Sequence, residues 1–540
     1  MNPPIIPDPI RAGMARGWKI VDGARLEADR TLEADVVIVG SGAGGGVTAE
    51  ILALAGLKVI IVEEGALRSS SDFKMREADA YPSLYQESAA RQTLDKGIKI
   101  LQGRTVGGST TVNWTSSFRT PPATLEFWRS RFGLFDYDSD SLVPWFAMME
   151  TRLHVSDWQA PPNANNDLLK RGLDQLGIKS GFIRRNVNGC WNLGYCGMGC
   201  PTNAKQSMLV TTIPSALDHG ATLVTRARAE RFILRGERAE ELLCVALTPD
   251  GVAANGRTLR LRAKHFVVAG GAINSPALLM RSNAPDPHGL LGKRTFLHPT
   301  LISAAIFPQR VEAWAGAPQT VYSDHFLHTG AIDGALGYKL EAPPLHPVLL
   351  STTLNGFGQG HAEIMRQFPH LHGMLALLRD GFHPDSQGGA VQLKDGAAVL
   401  DYPLNDVLWD GARRALLTMA EVQFAAGATA VQPAHETARR YTSWPEAKRE
   451  IAALPQQLHM TRVASAHVMG GCTMAGDEQR GVVAPDGRYR NLENLSVHDG
   501  SLFPTSIGAN PQLSIYGITA RLASGLATDL TGKPAPRVTA

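Results

Sequence analysis

Apolar positions along the chain gather into three well-separated strand-like runs, each stopping at glycine. The first lies in ADVVIVGSGAGGGVTAEILALAGLKVIIVEEG, residues 34–65. DVVIVG is a β-branched apolar run ending in a glycine turn. GGVTAEILALAGL then has helical composition, with Gly56 near its end, and KVIIVEE returns to the strand pattern. This order predicts a βαβ unit with a right-handed crossover. A second strand-to-glycine passage is KHFVVAGGAINSPALLMRS, residues 264–282. A third, NLSVHDGSLFPTS, feeds QLSIYGITARLASGLATDL, which predicts the last long helix.

From about residue 297 to 458 the pattern changes. Short β-type pieces, TLISAAIF and GAVQLKDGAAVLDYPL, mix with loops and amphipathic stretches. DVLWDGARRALLTMAEVQFAAG has a helical period, and Gly427 is placed to cap its C-terminus. MRQFPHLHGMLALL, Met365 to Leu378, reads as a core helix, with a lid or membrane-facing piece as the alternative. The expected class is α/β, with a second, sheet-containing domain inserted into the first. The expected parts are an N-terminal extension (1–33), a first domain (34–296) whose loops at about 120–205 reach the second, the inserted domain (297–458), and a C-terminal return to the first (459–540). No 20–50-residue repeat is present.

Composition narrows the picture modestly. With 540 residues, 44% of them hydrophobic and 19% charged, the chain has a globular make-up large enough for several domains. Its formal net charge is only +3 and no block of like charges stands out, so a nucleic-acid partner is not expected. No uncharged apolar run reaches the ~18–20 residues of a membrane span, and the N-terminus lacks the apolar core of a signal peptide. The cytoplasm is the default location, with peripheral membrane contact left open. Five cysteines do not suggest a secreted disulfide framework.

Gly40, Gly42 and Gly45 form G-x-G-x-x-G between the first predicted strand and helix. The first glycine permits the tight turn, the second lets backbone amides approach a pyrophosphate, and the third lets helix and strand pack closely. The helix N-terminus then faces the phosphates. Glu63, ending the second strand, stands near the ~20-residue offset expected of an acid that binds ribose hydroxyls. A second glycine-rich loop, GRTVGGSTTVNW (residues 103–114), suits a backbone passing close to an extended, phosphate-linked ligand. These features predict a dinucleotide site, FAD or NAD.

Four segments, VGSGAGGG, GRTVGGSTTVN, GGAINSPALLMRS and HVMGGCTM…HDGSLFPTSIGANP, come in the order and spacing of the glucose–methanol–choline (GMC) family of FAD-dependent oxidoreductases, which the chain resembles over nearly its whole length. TVGGSTTVNWTSSFRTP and GYCGMGCPTNAKQS look most like long-chain alcohol oxidases and dehydrogenases. The HxxGGC and GANP segments also look like bacterial cholesterol oxidase. The resemblance implies a Rossmann-like FAD-binding domain split along the chain, with an inserted α+β substrate domain built on an antiparallel sheet. It carries flavin contacts onto Gly40, Gly42, Gly45, Glu63, Arg104, Gly107, Gly108, Ser109, Asn113, Asp499, Gly500 and Asn510. Some members attach flavin through a histidine just before the asparagine of the second loop; here that position is Val112, which predicts noncovalent FAD. The family's second signature usually ends Ser-Gly, whereas this chain has Ser282-Asn283.

A lone histidine is ambiguous, and the resemblance supplies the role of His467 in SAHVMGGC: a base opposite the flavin. Oxidising an alcohol requires loss of the hydroxyl proton together with hydride, and neutral imidazole, with an unperturbed pKa near ~6.5, suits that task. Asn510 falls where the family has histidine or asparagine as a second partner, able to hydrogen-bond the substrate oxygen. No metal ligation is expected of His467, and Cys472, His498 and His298 are read as structural. Cys190, Cys196 and Cys200 in CWNLGYCGMGCP are candidates for an iron–sulfur cluster. A structural thiol-rich loop is the favoured reading, since Leu193 occupies a position where many relatives carry a fourth cysteine.

The leading expectation is oxidation of a hydrophobic, long-chain primary alcohol to the aldehyde, with Trp114 and Phe118 as candidate apolar lining. A sterol or other bulky secondary alcohol, a cyanohydrin lyase with structural FAD, and an NAD-linked dehydrogenase stay open as alternatives. Oxygen, a quinone or a cytochrome each fits as electron acceptor.

Overall fold

The computed structural model describes residues 6–539. Its first sheet runs in the order Lys19–Asp22, Thr222–Thr225, Val59–Val62, Arg30–Val39, Ala254–Val268, Arg238–Leu247, Ala227–Arg235. The first five strands are mutually parallel, and the last two turn back antiparallel. Val36–Val39 and Val59–Val62 are buried throughout, which is why their sequences are continuous apolar runs rather than alternating ones. Strand Ala254–Val268 serves two neighbours in turn. Its first half pairs with Arg238–Leu247, and Phe266–Val268 pairs in parallel with Leu495–Val497 near the far end of the chain. The split domain predicted from three strand-to-glycine passages is therefore one sheet.

Helix Ala43–Leu54 follows the first glycine turn, and the closing helix Gln512–Thr531 packs against it. Asn283 sits at φ 52°. Asparagine replaces the family's usual glycine there because it tolerates the left-handed region better than most residues.

The second sheet runs Ile98–Ile100, Val463–Ser465, Thr300–Ile306, Leu371–Leu378, Tyr338–Glu341, Val321–Ser323, Gly181–Phe182, with Ala430–Pro433 also on Thr300–Ile306. All its pairings are antiparallel except Val463–Ser465 with Ile98–Ile100. Three of its strands come from outside residues 297–458. Helix Asp406–Ala425 covers one face, with Ser303 Oγ donating to Gln423 Oε1 at 2.7 Å. Tyr338 Oη also meets Thr418 Oγ1 on that helix, at 2.7 Å. Side chains alternate along a strand, so Lys339 and Glu341 point to the other face, toward the first domain. Gly427, at φ 99°, follows the end of the covering helix as predicted.

One element differs from its sequence reading. Met365–Leu378 is not a helix or lid: Met365 and Arg366 end helix Gly358–Arg366, Phe368–His370 is a 3-10 turn, and Leu371–Leu378 is a central strand. LHGMLALL is apolar in succession because the strand is covered on both faces. Short runs of that kind cannot be told from buried helix by periodicity.

Candidate active site

The glycine turns frame a cavity of about 670 Å³ between the two sheets. Gly40 adopts φ 99°, and a Cβ there would overlap the Ala269 carbonyl oxygen. A Cβ on Gly45 would overlap Gly40 O, so the third glycine packs the helix onto the turn as expected. Gly42 caps helix Ala43–Leu54 without any side-chain hydrogen bond. The first-turn N–H groups are thus free to meet an anion. Gly107 (φ 87°) and Gly108 (φ 53°) bend the second loop so closely that a Cβ on Gly108 would lie 2.8 Å from Gly42 Cα. Ser109 Oγ holds that bend by accepting from Gly103 N at 2.9 Å. Two bare backbones facing one cavity of this size fit a dinucleotide.

Gly40, Gly42, Glu63, Gly108, Ser109, Asn113, Asp499, Gly500, Asn510 and His467 all line this cavity. Glu63 accepts from Ser41 N at 3.2 Å, Ser41 Oγ at 2.6 Å and Gly65 N at 2.8 Å. Burial pushes its pKa up against these hydrogen bonds. Asp499 ties its own turn to the 270–275 turn, accepting from Gly271 N at 2.7 Å, Ser275 Oγ at 2.5 Å and Ser501 N at 2.8 Å. Asn113 Nδ2 donates to Gln512 Oε1 at 2.6 Å. Gly45 and Gly107 shape the walls from behind. Arg104 does not reach the lining; it pairs with Glu64 at 3.1 Å and donates to Gly251 O at 2.5 Å.

At the end of the cavity near the second sheet, Asn510 is held by charges that no sequence motif marks. Lys339 Nζ donates to Asn510 Oδ1 at 3.2 Å and lies 3.2 Å from Glu341 Oε1. Asn510 Nδ2 donates to Glu341 Oε2 at 3.2 Å, and Gln319 Nε2 donates to the same oxygen at 2.5 Å. Lys339 and Glu341 are 1% and 0% exposed, so this is a fully desolvated ion pair. The Lys339 ammonium also sits 3.0 Å from the Phe118 ring centroid and 4.6 Å from that of Tyr322. Phe118 therefore supports Lys339, whereas Trp114 does line the cavity. Burial lowers the Lys339 pKa to about 8, opposed by Glu341.

His467 and His298 face each other Nδ1 to Nδ1 at 3.0 Å. Burial, with a smaller contribution from Lys339, lowers the His467 pKa to about 3. It is thus a firmly neutral imidazole rather than an ordinary one near ~6.5. His265, His372 and His498 are lowered to about 3 by burial as well. His498 Nδ1 lies 3.0 Å from Thr48 Oγ1 and anchors its loop to the first helix. A folded-state pKa below the unfolded value means that stability is complete above ~6.5 and is lost as pH falls toward 3. Each such histidine contributes a slope of up to ~1.4 kcal/mol per pH unit. The thermal midpoint is expected to fall steadily as pH drops below ~6.5; a flat profile down to about pH 4.5 would contradict this burial.

Cys190, Cys196 and Cys200 are half-buried free thiols. Among the described residues no three His, Cys, Asp or Glu side chains converge as a metal site. The loop has a structural tie: Lys205 Nζ donates to Cys196 O, Thr111 O and Asn113 O at 2.7, 2.6 and 3.0 Å. Among the described residues no helix is long and apolar enough to cross a membrane.

The GMC oxidoreductase family model matches residues 81–300 with its N-terminal part and 384–519 with its C-terminal part. An uncharacterized GMC-type oxidoreductase of Mycobacterium tuberculosis is 33% identical over 529 residues, covering 95% of this chain and 80% of that protein. Long-chain-alcohol oxidase FAO1 of Arabidopsis thaliana is 26% identical over 535 residues, 94% of this chain and 69% of its own. Among solved structures, the Aspergillus oryzae formate oxidase aligns with a TM-score of 0.67 at 15% identity, over 93% of this chain and 100% of that one. With the two-sheet fold, the glycine-framed cavity and these matches together, the chain belongs to the GMC oxidoreductase family and is an FAD-dependent oxidoreductase.

Proposed function

We propose that the protein oxidises a hydrophobic, long-chain primary alcohol to the aldehyde, with noncovalently held FAD and His467 as the base. The observation that supports this most is that His467 and Asn510 line the same cavity as the glycine cradle. Bound FAD supplies the hydride acceptor. His467, neutral and with Nδ1 already engaged, offers Nε2 to the hydroxyl proton. Asn510, fixed by Lys339 and Glu341, presents its remaining amide hydrogen to the substrate oxygen. Trp114 adds an apolar wall, and Val112 offers no nucleophile for a bond to the flavin. The Arabidopsis long-chain-alcohol oxidases among the relatives favour an aliphatic substrate.

Anaerobic titration with primary alcohols of graded length tests the substrate class. Bleaching near ~450 nm, the absorption of oxidised flavin, is expected to grow more efficient as the chain lengthens. Bleaching by a sterol and not by aliphatic alcohols would overturn the assignment, as would cyanide release from a cyanohydrin without bleaching. Admission of air afterwards reports whether oxygen is the acceptor. The cradle has its own test: Gly45→Ala drives a Cβ into the Gly40 carbonyl. It is expected to purify with less than about a tenth of the wild-type flavin per chain, a loss of ~1.4 kcal/mol or more in binding. Full flavin content would contradict the packing described.

A further inference from the structure

We propose that His298 is a positioning residue that decides which ring nitrogen of His467 carries its proton, an inference that rests on His467 being the base.

The two Nδ1 atoms are 3.0 Å apart, with ring centroids 5.2 Å apart and planes tilted by 31°. Between two neutral imidazoles in this contact there is room for one proton, so one nitrogen donates and the other accepts. If His298 donates, His467 carries its own proton on Nε2 and has no lone pair left for a substrate. If His467 donates, its Nε2 is the free lone pair. Nε2 is the nitrogen that matters, because it has no partner among the described residues and is not sealed off, and His467 lines the cavity. Once Nε2 has taken a proton, both His467 nitrogens are N–H groups, and only an acceptor at His298 Nδ1 can satisfy the inner one. His298 thus favours the protonated product of the step as well as the productive tautomer before it. A carboxylate plays that part in the serine-protease triad.

The placement of His298 supports a role of this kind. It holds φ 50°, a conformation costing a non-glycine residue ~1–2 kcal/mol, immediately before Pro299. The buried Asp380 clamps it: Asp380 Oδ1 accepts from His298 N at 3.1 Å. Oδ2 accepts from Leu297 N at 3.0 Å and from Tyr402 Oη at 2.6 Å. Meanwhile His298 Nε2 is buried without a partner. His372 and His498 also bury an Nε2 without a partner, so what sets His298 apart is strained backbone held by a buried carboxylate directly behind a histidine that lines the cavity. Strain of this type collects where geometry serves function.

Two variants and one spectrum test the proposal. His298→Leu removes the acceptor, whereas His298→Asn places an amide oxygen near the Nδ1 position and suits the positive φ. In single-turnover bleaching by an alcohol, His298→Leu is expected to lose about 10²-fold or more in rate, with alcohol affinity little changed. His298→Asn is expected to recover at least about tenfold of that loss. Long-range ¹H–¹⁵N correlation spectra of histidine-labelled holoenzyme are expected to report His467 as the Nδ1–H tautomer, and His298→Leu as shifted toward Nε2–H. Wild-type rates in His298→Leu, equal losses in both variants, or an Nε2–H tautomer in the wild type would each overturn the proposal. The wild-type spectrum decides alone if His298→Leu does not fold. A His467→Ala enzyme that still bleaches at the wild-type rate would instead remove the functional reading on which this rests.

Discussion

Replacing His467 with alanine is expected to leave a yellow, folded protein in which alcohol-driven bleaching falls by about 10²–10⁴-fold. The flavin should stay, because the cradle is made by Gly40–Gly45, Gly103–Ser109 and the Asp499 turn, none of which takes a hydrogen bond from the His467 ring. The rate should fall because His467 is the one histidine among the described residues that line the cavity, and His298 lies behind it. Lys339 and Glu341 are spent on each other and on Asn510. Stopped-flow absorbance under anaerobic conditions measures both quantities in one sample. Loss of colour would move His467 from chemistry to cofactor retention, and an unchanged rate would remove it from the step.

Lys339→Met is expected to be the most destabilising of the single changes at the site. It keeps the side-chain length but strands Glu341, which is 0% exposed, as an uncompensated buried charge. Removing one partner of such a pair costs about 3–5 kcal/mol. The stranded carboxylate would retain Gln319 and Asn510 as donors, so the lower half of that range is the better expectation. Replacing both charges, as Lys339→Met with Glu341→Gln, should recover most of the loss, because the desolvation penalty disappears along with the attraction. Denaturant midpoints followed by tryptophan fluorescence would check this. A double variant no more stable than Lys339→Met would mean that the aromatic box of Phe118 and Tyr322, and not the charge pair, holds this corner together.

What the sequence made legible and what it hid divide along a physical line. The glycine turns, Glu63 and the ordered motifs around His467 and Asn510 are local patterns, in which a few neighbouring residues carry both the conformation and the chemistry. Their places in the fold follow from that, including the return of Leu495–Val497 to the first sheet. His298 reads as structural in the sequence, where nothing local marks its contact with His467, 169 residues away. Lys339 and Glu341 carry no local signal because their partner Asn510 is about 170 residues away. Within Tyr338–Glu341 they look like the exposed face of an ordinary strand, and that face is covered by Phe118, Gln319 and Asn510, all outside the strand. Met365–Leu378 misleads for another reason: an apolar run covered on both sides has no period to read. Arg104 belongs to a motif whose backbone shapes the cavity while its side chain turns away to Glu64.

The most direct test of the central claim is anaerobic single-turnover bleaching of wild type and His467→Ala with a long-chain primary alcohol, normal or dideuterated at the carbinol carbon. Rapid wild-type bleaching, slowed several-fold by deuterium and nearly abolished by the alanine change, is predicted. Bleaching that neither deuterium nor the loss of the imidazole slows would contradict an account in which His467 takes the proton while the same carbon gives up its hydride.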